Sequence, residues 1–136
     1  MILQTLKTKL TTAISGIFTQ IFFDYMSVLN TGVLKSYPYV AWNLDTMSGL
    51  VSFRETLKEL DLEVIGVDVF DPETQDFIDK YDSIEALVLS YITAVSAQTG
   101  IQVLTLMAPV EYYPRGTVSN DSEIGVKVKV KIRIVC

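Results

Sequence analysis

Four basic side chains recur at every second position near the C-terminal end of the chain: Lys127, Lys129, Lys131 and Arg133. Apolar residues lie between them, and this period of two is typical of a β-strand with one apolar and one charged face. A row of cations on a strand could bind the phosphates of a nucleic acid. Proteins that bind single strands usually add exposed aromatic residues for base stacking, and this row has none.

A row of acidic side chains has the same period of two: Glu59, Asp61 and Glu63. If the two strands are neighbours, within one subunit or across an interface, opposite charges face each other. Each exposed pair would contribute only about 0.2–1 kcal/mol, so pairing would set strand register more than stability. A solvated strand face, or an edge protected by lysine, is the other interpretation favoured over nucleic-acid binding.

A third candidate is the sequence Tyr112-Tyr113-Pro114-Arg115, which lies at the base of a polar loop. Tyrosine and arginine are enriched in the residues that dominate protein interfaces. The cluster therefore indicates either a partner contact or an ordinary arrangement with one tyrosine in the core and the other exposed.

Residues able to do catalysis or bind metal are scarce. The chain has no histidine, which removes the commonest general base and metal ligand, and no glycine-rich phosphate loop. Five acids between Asp68 and Asp79 imitate a cation site, but their spacing does not fit a calcium loop and helix capping explains them. We therefore predict no catalytic, cofactor-binding or metal-ligating residue, no cofactor, and a protein that is not an enzyme.

Length and composition predict one globular domain. The chain has 136 residues, of which 49% are apolar and 20% are charged. This is enough to build a hydrophobic core that folds without disulfide bonds or a structural metal ion. A net charge of −5 opposes generic binding to phosphate backbones. The lone Cys136 excludes an intrachain disulfide and indicates a reducing compartment. The apolar stretch from Ala13 to Leu29 is interrupted by Gln20 and Asp24, which favours core-facing structure over a membrane segment.

The first half of the chain predicts one helix and two strands. Apolar residues spaced by three or four indicate an amphipathic helix over residues 2–20, after which Ile21 to Phe23 either continue it or become extended. Residues 39–44 favour a strand. Residues 50–70 are interpreted as one long, bent strand with a β-bulge at Gly66, although Arg54 to Leu60 could instead form two helical turns.

The second half predicts one helical region and two strands. Helix-start signals occur at Asp71 and at Asp82, and the helix should end at Gly100. A strand over residues 101–113, interrupted at Pro109, forms a hairpin with a final strand over residues 124–135. The fold class is therefore α+β, with a mainly antiparallel sheet of four or more strands packed by two helices, in the order α-β-β-α-β-β.

This order resembles the tail-terminator proteins of long-tailed bacteriophages. The local likenesses are four segments: Phe22-Phe23-Asp24, Tyr37-Pro38-Tyr39-Val40-Ala41, Leu62 to Phe70 running into Asp71-Pro72, and the closing hairpin of Val110 to Arg115 with Gly125 to Val135. The sequence departs from the family in its apolar stretch from Ile14 to Leu29 and in stopping on a strand. A related connector or tail-completion protein fits these departures equally well.

The resemblance implies a structural virion protein of the tail or neck, made in the host cytoplasm. It implies a homo-oligomeric ring, a hexamer in that family, which caps the tail tube and joins it to the head-side connector. The implied partners are other copies of the chain and tail-tube and neck proteins. DNA would pass through the ring without sequence-specific binding, and no membrane is involved.

Two other functions remain open from the residues alone. One is a small protein-binding adaptor that uses Tyr112, Tyr113 and Arg115 as contacts. The other is a histidine-free enzyme, which would require a pocket lined by carboxylates or lysine. The candidate interface residues are those of the two charged rows and the tyrosine cluster: Glu59, Asp61, Glu63, Tyr112, Tyr113, Arg115, Lys127, Lys129, Lys131 and Arg133.

Overall fold

The structure, a computed structural model, describes residues 2–23, 35–46, 57–106, 110–114 and 122–135. In these residues the chain forms two helices and six strands. In chain order they are α1 (Ile2–Thr12), β1 (Gln20–Phe22), β2 (Tyr39–Thr46), β3 (Leu57–Val69), α2 (Phe77–Ser96), β4 (Ile101–Leu106), β5 (Glu111–Tyr113) and β6 (Glu123–Val135). The coarse prediction of a mixed fold, with two helices and a sheet, is confirmed.

The last strand, β6, lies inside the sheet. The strand order is β1-β2-β3-β6-β4, and β5 also pairs with β6. The β1–β2 pair is parallel and the other pairs are antiparallel. The predicted closing hairpin is confirmed, because Tyr113 of β5 faces Gly125 of β6. The predicted interruption also fits, since β4 and β5 follow one edge of β6, while Pro109 lies outside the described residues.

One face of the sheet forms the main core with the two helices. All six apolar residues of the alternating pattern in β6 are buried there: Ile124, Val126, Val128, Val130, Ile132 and Ile134. They share this cluster with Ile84, Val88 and Tyr91 of α2. The alternation predicted from the sequence thus turns one complete side of β6 toward the helices.

Gly66 does not form the predicted β-bulge. It faces Val40 of β2 and Val126 of β6, and the register of β3 with β6 is unbroken from Leu57 to Val69. A Cβ at this position would lie 2.6 Å from Cγ2 of Val88 in α2. Glycine is therefore required because α2 approaches the backbone of β3 closely, not because the strand is irregular.

The apolar residues of β3 change from even-numbered positions, such as Leu62 and Val64, to odd-numbered positions from Ile65 onward, and this change has a separate cause. Ile65 and Val67 lie on the sheet face opposite the helices, in a second buried cluster with Tyr39 and Ala41. Because Val64 remains buried on the helix side, β3 is covered on both faces at this end. Burial on both faces and a β-bulge both shift the apolar residues of a strand to the other parity, so the sequence pattern alone did not distinguish them.

Helix α1 is shorter than predicted, ending at Thr12 instead of residue 20. The hydroxyls of Thr8, Thr11 and Thr12 each donate to the carbonyl four residues earlier, a bond that competes with ordinary helix geometry. Turns follow over residues 13–17, and Gly16 has a φ of 77°. The chain leaves the helix at this positive φ and then forms β1, which settles the alternative left open for Ile21 to Phe23.

Helix α2 is one continuous helix that begins at Phe77. Its N-cap is Asp76, whose side chain accepts from the amide of Ile78 at 2.8 Å. The start predicted at Asp71 is wrong, because Asp71 caps a turn over residues 72–74, and Asp82 lies within the helix. The helix ends at Ser96, before the predicted Gly100.

Gly100 instead turns the chain into β4. It has a φ of 81°, and a Cβ there would lie 2.5 Å from the carbonyl oxygen of Val135. In the uncertain stretch from Arg54 to Leu60, residues 57–60 belong to β3 and Arg54 lies outside the described residues. No helix in the described part of the chain is long and apolar enough to cross a membrane.

Candidate functional site

The two charged rows are direct neighbours within one chain. Strands β3 and β6 pair so that Glu59 faces Arg133, Asp61 faces Lys131 and Glu63 faces Lys129. Of the interpretations left open by the sequence, the one in which the two charged rows face each other is confirmed, and the contact lies within one subunit. The alternating positions of the charged residues in β3 and β6, and the opposite signs of their charges, therefore favour the register of this strand pair.

The contacts between the rows are ion pairs of different quality. Arg133 is the best paired, with Nη2 at 2.6 Å and Nε at 3.0 Å from the same Oε1 of Glu59. Lys131 lies 3.7 Å from Asp61, and Lys129 lies 3.6 Å from Glu63. The arginine pair is a charge-assisted double hydrogen bond, whereas the lysine pairs are looser point-charge contacts.

At the other end of the rows, Lys127 is surrounded by three partners. Its Nζ lies 3.6 Å from Glu63, 3.1 Å from Glu111 of β5 and 5.6 Å from the ring centre of Tyr113. Burial acts to lower the pKa of Lys127, but bonds to Tyr113 and Glu111 and the charge of Glu63 raise it above its usual value. The ammonium therefore stays protonated at neutral pH and is not available as a general base.

These eight residues form a surface that we call the charge ladder: Glu59, Asp61, Glu63, Glu111, Lys127, Lys129, Lys131 and Arg133. It contains four acids and four bases, so its formal charges cancel. A small pocket of about 170 Å³ opens beside it, lined by Ala41, Asn43, Glu63, Ile65, Tyr113 and Lys127. Because its cations are matched by acids, the charge ladder is a poor surface for a phosphate backbone.

A second charged surface lies at the start of α2, and its charges, unlike those of the charge ladder, are not balanced. A depression of about 390 Å³ is lined by Phe77, Ile78, Tyr81, Asp82, Glu85 and Tyr112, which we call the α2 patch. Phe77 is 58% exposed, Ile78 63% and Tyr112 49%. Large apolar side chains that are contiguous and exposed to this degree mark an interaction surface.

Hydrogen bonds and ring contacts join the two elements that build the α2 patch. Tyr112 of β5 donates its hydroxyl to Oε1 of Glu85 at 3.0 Å, and this bond raises the pKa of Tyr112. Tyr81 donates to the backbone carbonyl of Tyr113 at 2.7 Å, and the rings of Tyr81 and Tyr112 meet edge to face at 5.4 Å. The patch is therefore held in shape before any partner binds.

The α2 patch lies in the segment that carries the net charge of the chain. Residues 71–85 contain six acids and one base, Lys80, whereas the rest of the chain contains ten acids and ten bases. Lys80 is itself bound to Asp68 at 2.8 Å. The negative charge of −5 is thus concentrated beside exposed apolar side chains. Counting charge segment by segment would have revealed this from the sequence.

Three of the five acids that imitate a cation site in the sequence have structural roles. Asp68 pairs with Lys80, Asp71 caps the turn that precedes α2, and Asp76 caps α2 itself. In the part of the chain that the structure describes, no group of three or more histidine, cysteine or acidic residues could hold a metal ion.

The predicted tyrosine cluster divides between the two surfaces. Tyr112 belongs to the α2 patch, and Tyr113 packs beside Lys127 of the charge ladder. Neighbouring residues of a strand point to opposite faces, so the two tyrosines could not form one contact site. Arg115 lies outside the described residues.

Glu123 is a buried carboxylate that sequence reasoning assigned to a polar loop. It is fully buried at the start of β6, where it accepts hydrogen bonds from Tyr37 and, at 3.1 Å, from Tyr39. Lys35 lies 3.5 Å away and supplies a compensating charge. The cluster fixes the entrance of β6 against β2. A single glutamate at a loop boundary gave no signal for it.

Comparison with known proteins found no match among protein-family models and none among curated proteins.

Proposed function

We propose that this chain is a structural subunit of a protein assembly, a ring subunit that resembles a bacteriophage tail terminator. In this role it caps the tail tube and joins it to the head-side connector. The observation that carries the proposal is the α2 patch, which places exposed Phe77 and Ile78 in the most acidic segment of the chain, residues 71–85, with exposed Tyr112 of β5 beside them.

The α2 patch has the composition of a protein-binding surface. Burying the exposed part of Phe77 or Ile78, about 60% of each residue, at an interface would contribute about 1–2 kcal/mol for each residue. Aromatic residues at the centre and charged residues at the rim are the usual organisation of such interfaces. The acids around the patch supply specificity for a basic or neutral rim on the partner.

The charge ladder supports the same function in a different way. Since its charges cancel, it gives a rigid sheet that does not hold DNA, which suits a ring through which DNA passes. The proposed partners are other copies of the chain and the tail-tube and neck proteins, in the virion after synthesis in the host cytoplasm. The predicted order α-β-β-α-β-β, on which the resemblance was based, differs from the structure, in which three strands follow each helix because the short strands β1 and β5 are added.

A protein-binding adaptor is the second candidate function. The observation that favours it is the small extent of the α2 patch, which six side chains line. An adaptor would bind one soluble partner and would not form a closed oligomer.

Sedimentation velocity over micromolar and higher concentrations tests the proposal. A ring subunit is expected to form a discrete oligomer whose mass is a whole-number multiple of 15.2 kDa. Changing both Phe77 and Ile78 to serine should reduce it to monomer, whereas the control Leu89→Ser, at an exposed apolar residue of the same helix, should not. A wild-type chain that stays monomeric throughout would contradict the ring and favour the adaptor.

A further inference from the structure

A second apolar surface lies at the opposite end of the subunit. Among the described residues, a groove of about 170 Å³ runs between α1 and the strands β2 and β3, and we call it the α1 groove. Its lining includes Leu3, Lys7 and Leu10 of α1, Trp42 and Leu44 of β2, and Leu62 of β3. Leu3 is 39% exposed and Leu44 is 52% exposed, so apolar surface is accessible at its rim.

The α1 groove and the α2 patch are complementary in charge. The charged side chain that lines the α1 groove is Lys7, whose Nζ lies 5.5 Å above the ring of Phe23. The α2 patch carries Asp82 and Glu85 beside the exposed side chains of Phe77 and Ile78. A cation beside the apolar side chains of one surface therefore matches the acids beside the exposed apolar side chains of the other.

The position of the two surfaces suits contact between copies. The α1 groove adjoins the C-terminal part of α2, because Tyr91 accepts from Nε1 of Trp42 and donates to the carbonyl of Leu10. The α2 patch begins at Phe77, fourteen residues earlier in the helix, which corresponds to about 21 Å. Two different complementary surfaces at separate ends of one subunit produce head-to-tail contact, which closes into a ring when the rotation permits.

We infer that the α2 patch of one copy docks in the α1 groove of a second copy. Phe77 and Ile78 enter the groove, and Asp82 faces Lys7 of the neighbouring copy. The inference rests on the proposed function, because it names the surface that the α2 patch binds in a ring. It commits to contact between unlike surfaces, which differs from a two-fold contact of patch with patch.

Charge reversal at the two ends tests this pairing. Lys7→Glu and Asp82→Lys should each weaken self-association by about tenfold or more, measured as the dissociation constant by sedimentation. An equimolar mixture of the two variants should associate more tightly than either alone, because each junction in an alternating assembly again joins opposite charges. Both side chains are at the surface, and circular dichroism and thermal unfolding verify that each variant is folded.

Two further variants separate the groove from a general charge effect. Leu44→Ser removes an exposed apolar side chain of the α1 groove and should also weaken self-association. Thr8→Glu adds a negative charge to an exposed position of the same helix, on the side away from the groove lining, and should leave self-association unchanged.

The results of these experiments distinguish failure of the docking inference from failure of the proposed ring function. If substitutions in the α2 patch weaken the oligomer while Lys7→Glu and Leu44→Ser do not, the inference is wrong and the ring function stands with another docking surface. If both single charge reversals weaken association but their mixture fails to recover it, the direct pairing of Lys7 with Asp82 is wrong. A wild-type chain that remains monomeric overturns the inference and the ring together.

Discussion

The charge ladder and the α2 patch are both rich in charge, but they differ in how that charge is balanced. In the charge ladder, acids and bases of neighbouring strands lie within 4.0 Å of each other and their charges cancel. Around the α2 patch, six acids accompany one base, and that base is bound to Asp68. Balanced charge specifies how the strands align, whereas unbalanced charge beside exposed apolar side chains is available to a partner.

The largest expected effect comes from removing the apolar part of the α2 patch. The double variant Phe77→Ser with Ile78→Ser should weaken self-association by about 2–4 kcal/mol, because two apolar side chains that are about 60% exposed lose their burial at the interface. Its thermal stability should remain close to that of the wild type, since both side chains are more than half exposed in the single chain. Loss of folding in this variant would show that Phe77 and Ile78 stabilise the single chain, and it would contradict their assignment to a surface that is available to a partner.

Reversing one charge of the charge ladder should have a smaller effect, and it should lower the stability of the folded chain instead of weakening self-association. Arg133→Glu removes two hydrogen bonds to Glu59 and places like charges opposite each other on β3 and β6. We expect a loss of about 1–2 kcal/mol in the free energy of unfolding, measured by urea denaturation. The mass of the oligomer at concentrations well above its dissociation constant should not change. A change in that mass would show that the charge ladder is itself an interface.

Exchanging the two charges of this pair should restore part of the lost stability. Adding Glu59→Arg to Arg133→Glu recreates opposite charges across the same strand position. The coupling energy from the four-member cycle should be about 0.5–1 kcal/mol, as expected for a pair that is partly exposed. A coupling energy of zero would mean that register depends on the buried apolar face of β6 alone.

The smallest expected effect concerns pH. Hydrogen bonds from Lys127 and Tyr113, with the charge of Lys127, lower the pKa of Glu111 below its usual 4.5. Because the folded value is the lower one, the stability contributed by Glu111 is complete above pH 4.5 and is lost as the pH falls through the folded value. The variant Glu111→Gln should therefore unfold with a weaker pH dependence below pH 4.5, measured by thermal denaturation. An unchanged pH profile would contradict the contact between β5 and β6 at this position.

The parts of the fold that the sequence predicted depend on short, regular patterns. The period of two in β6 predicted its buried face, and the matching acids of β3 gave pairing of the two charged rows as one interpretation, whereas the register that places Glu59 opposite Arg133 came from the structure. Local periodicity also located both helices, although not their ends. Those ends are set by side-chain bonds to the backbone and by Gly16, which a hydrophobic pattern does not represent.

The parts that the sequence did not predict depend on tertiary contact. Gly66 is a glycine because Val88 of a distant helix approaches it, and Glu123 is buried because Tyr37 and Tyr39 approach from another strand. The α2 patch escaped prediction because Phe77 and Ile78 have the spacing of ordinary helix residues. Their exposure becomes visible only when α2 is placed on the sheet.

Hydroxyl-radical footprinting of the wild-type chain, compared between dilute monomer and concentrated oligomer, tests whether the α2 patch is the assembly surface. The expected result is that Phe77, Ile78 and Tyr112 lose reactivity on association, whereas Leu89 of the same helix and Tyr113 beside the charge ladder do not. Loss of reactivity at Tyr113, with Phe77 and Ile78 unchanged, would contradict the assignment of the α2 patch as the assembly surface.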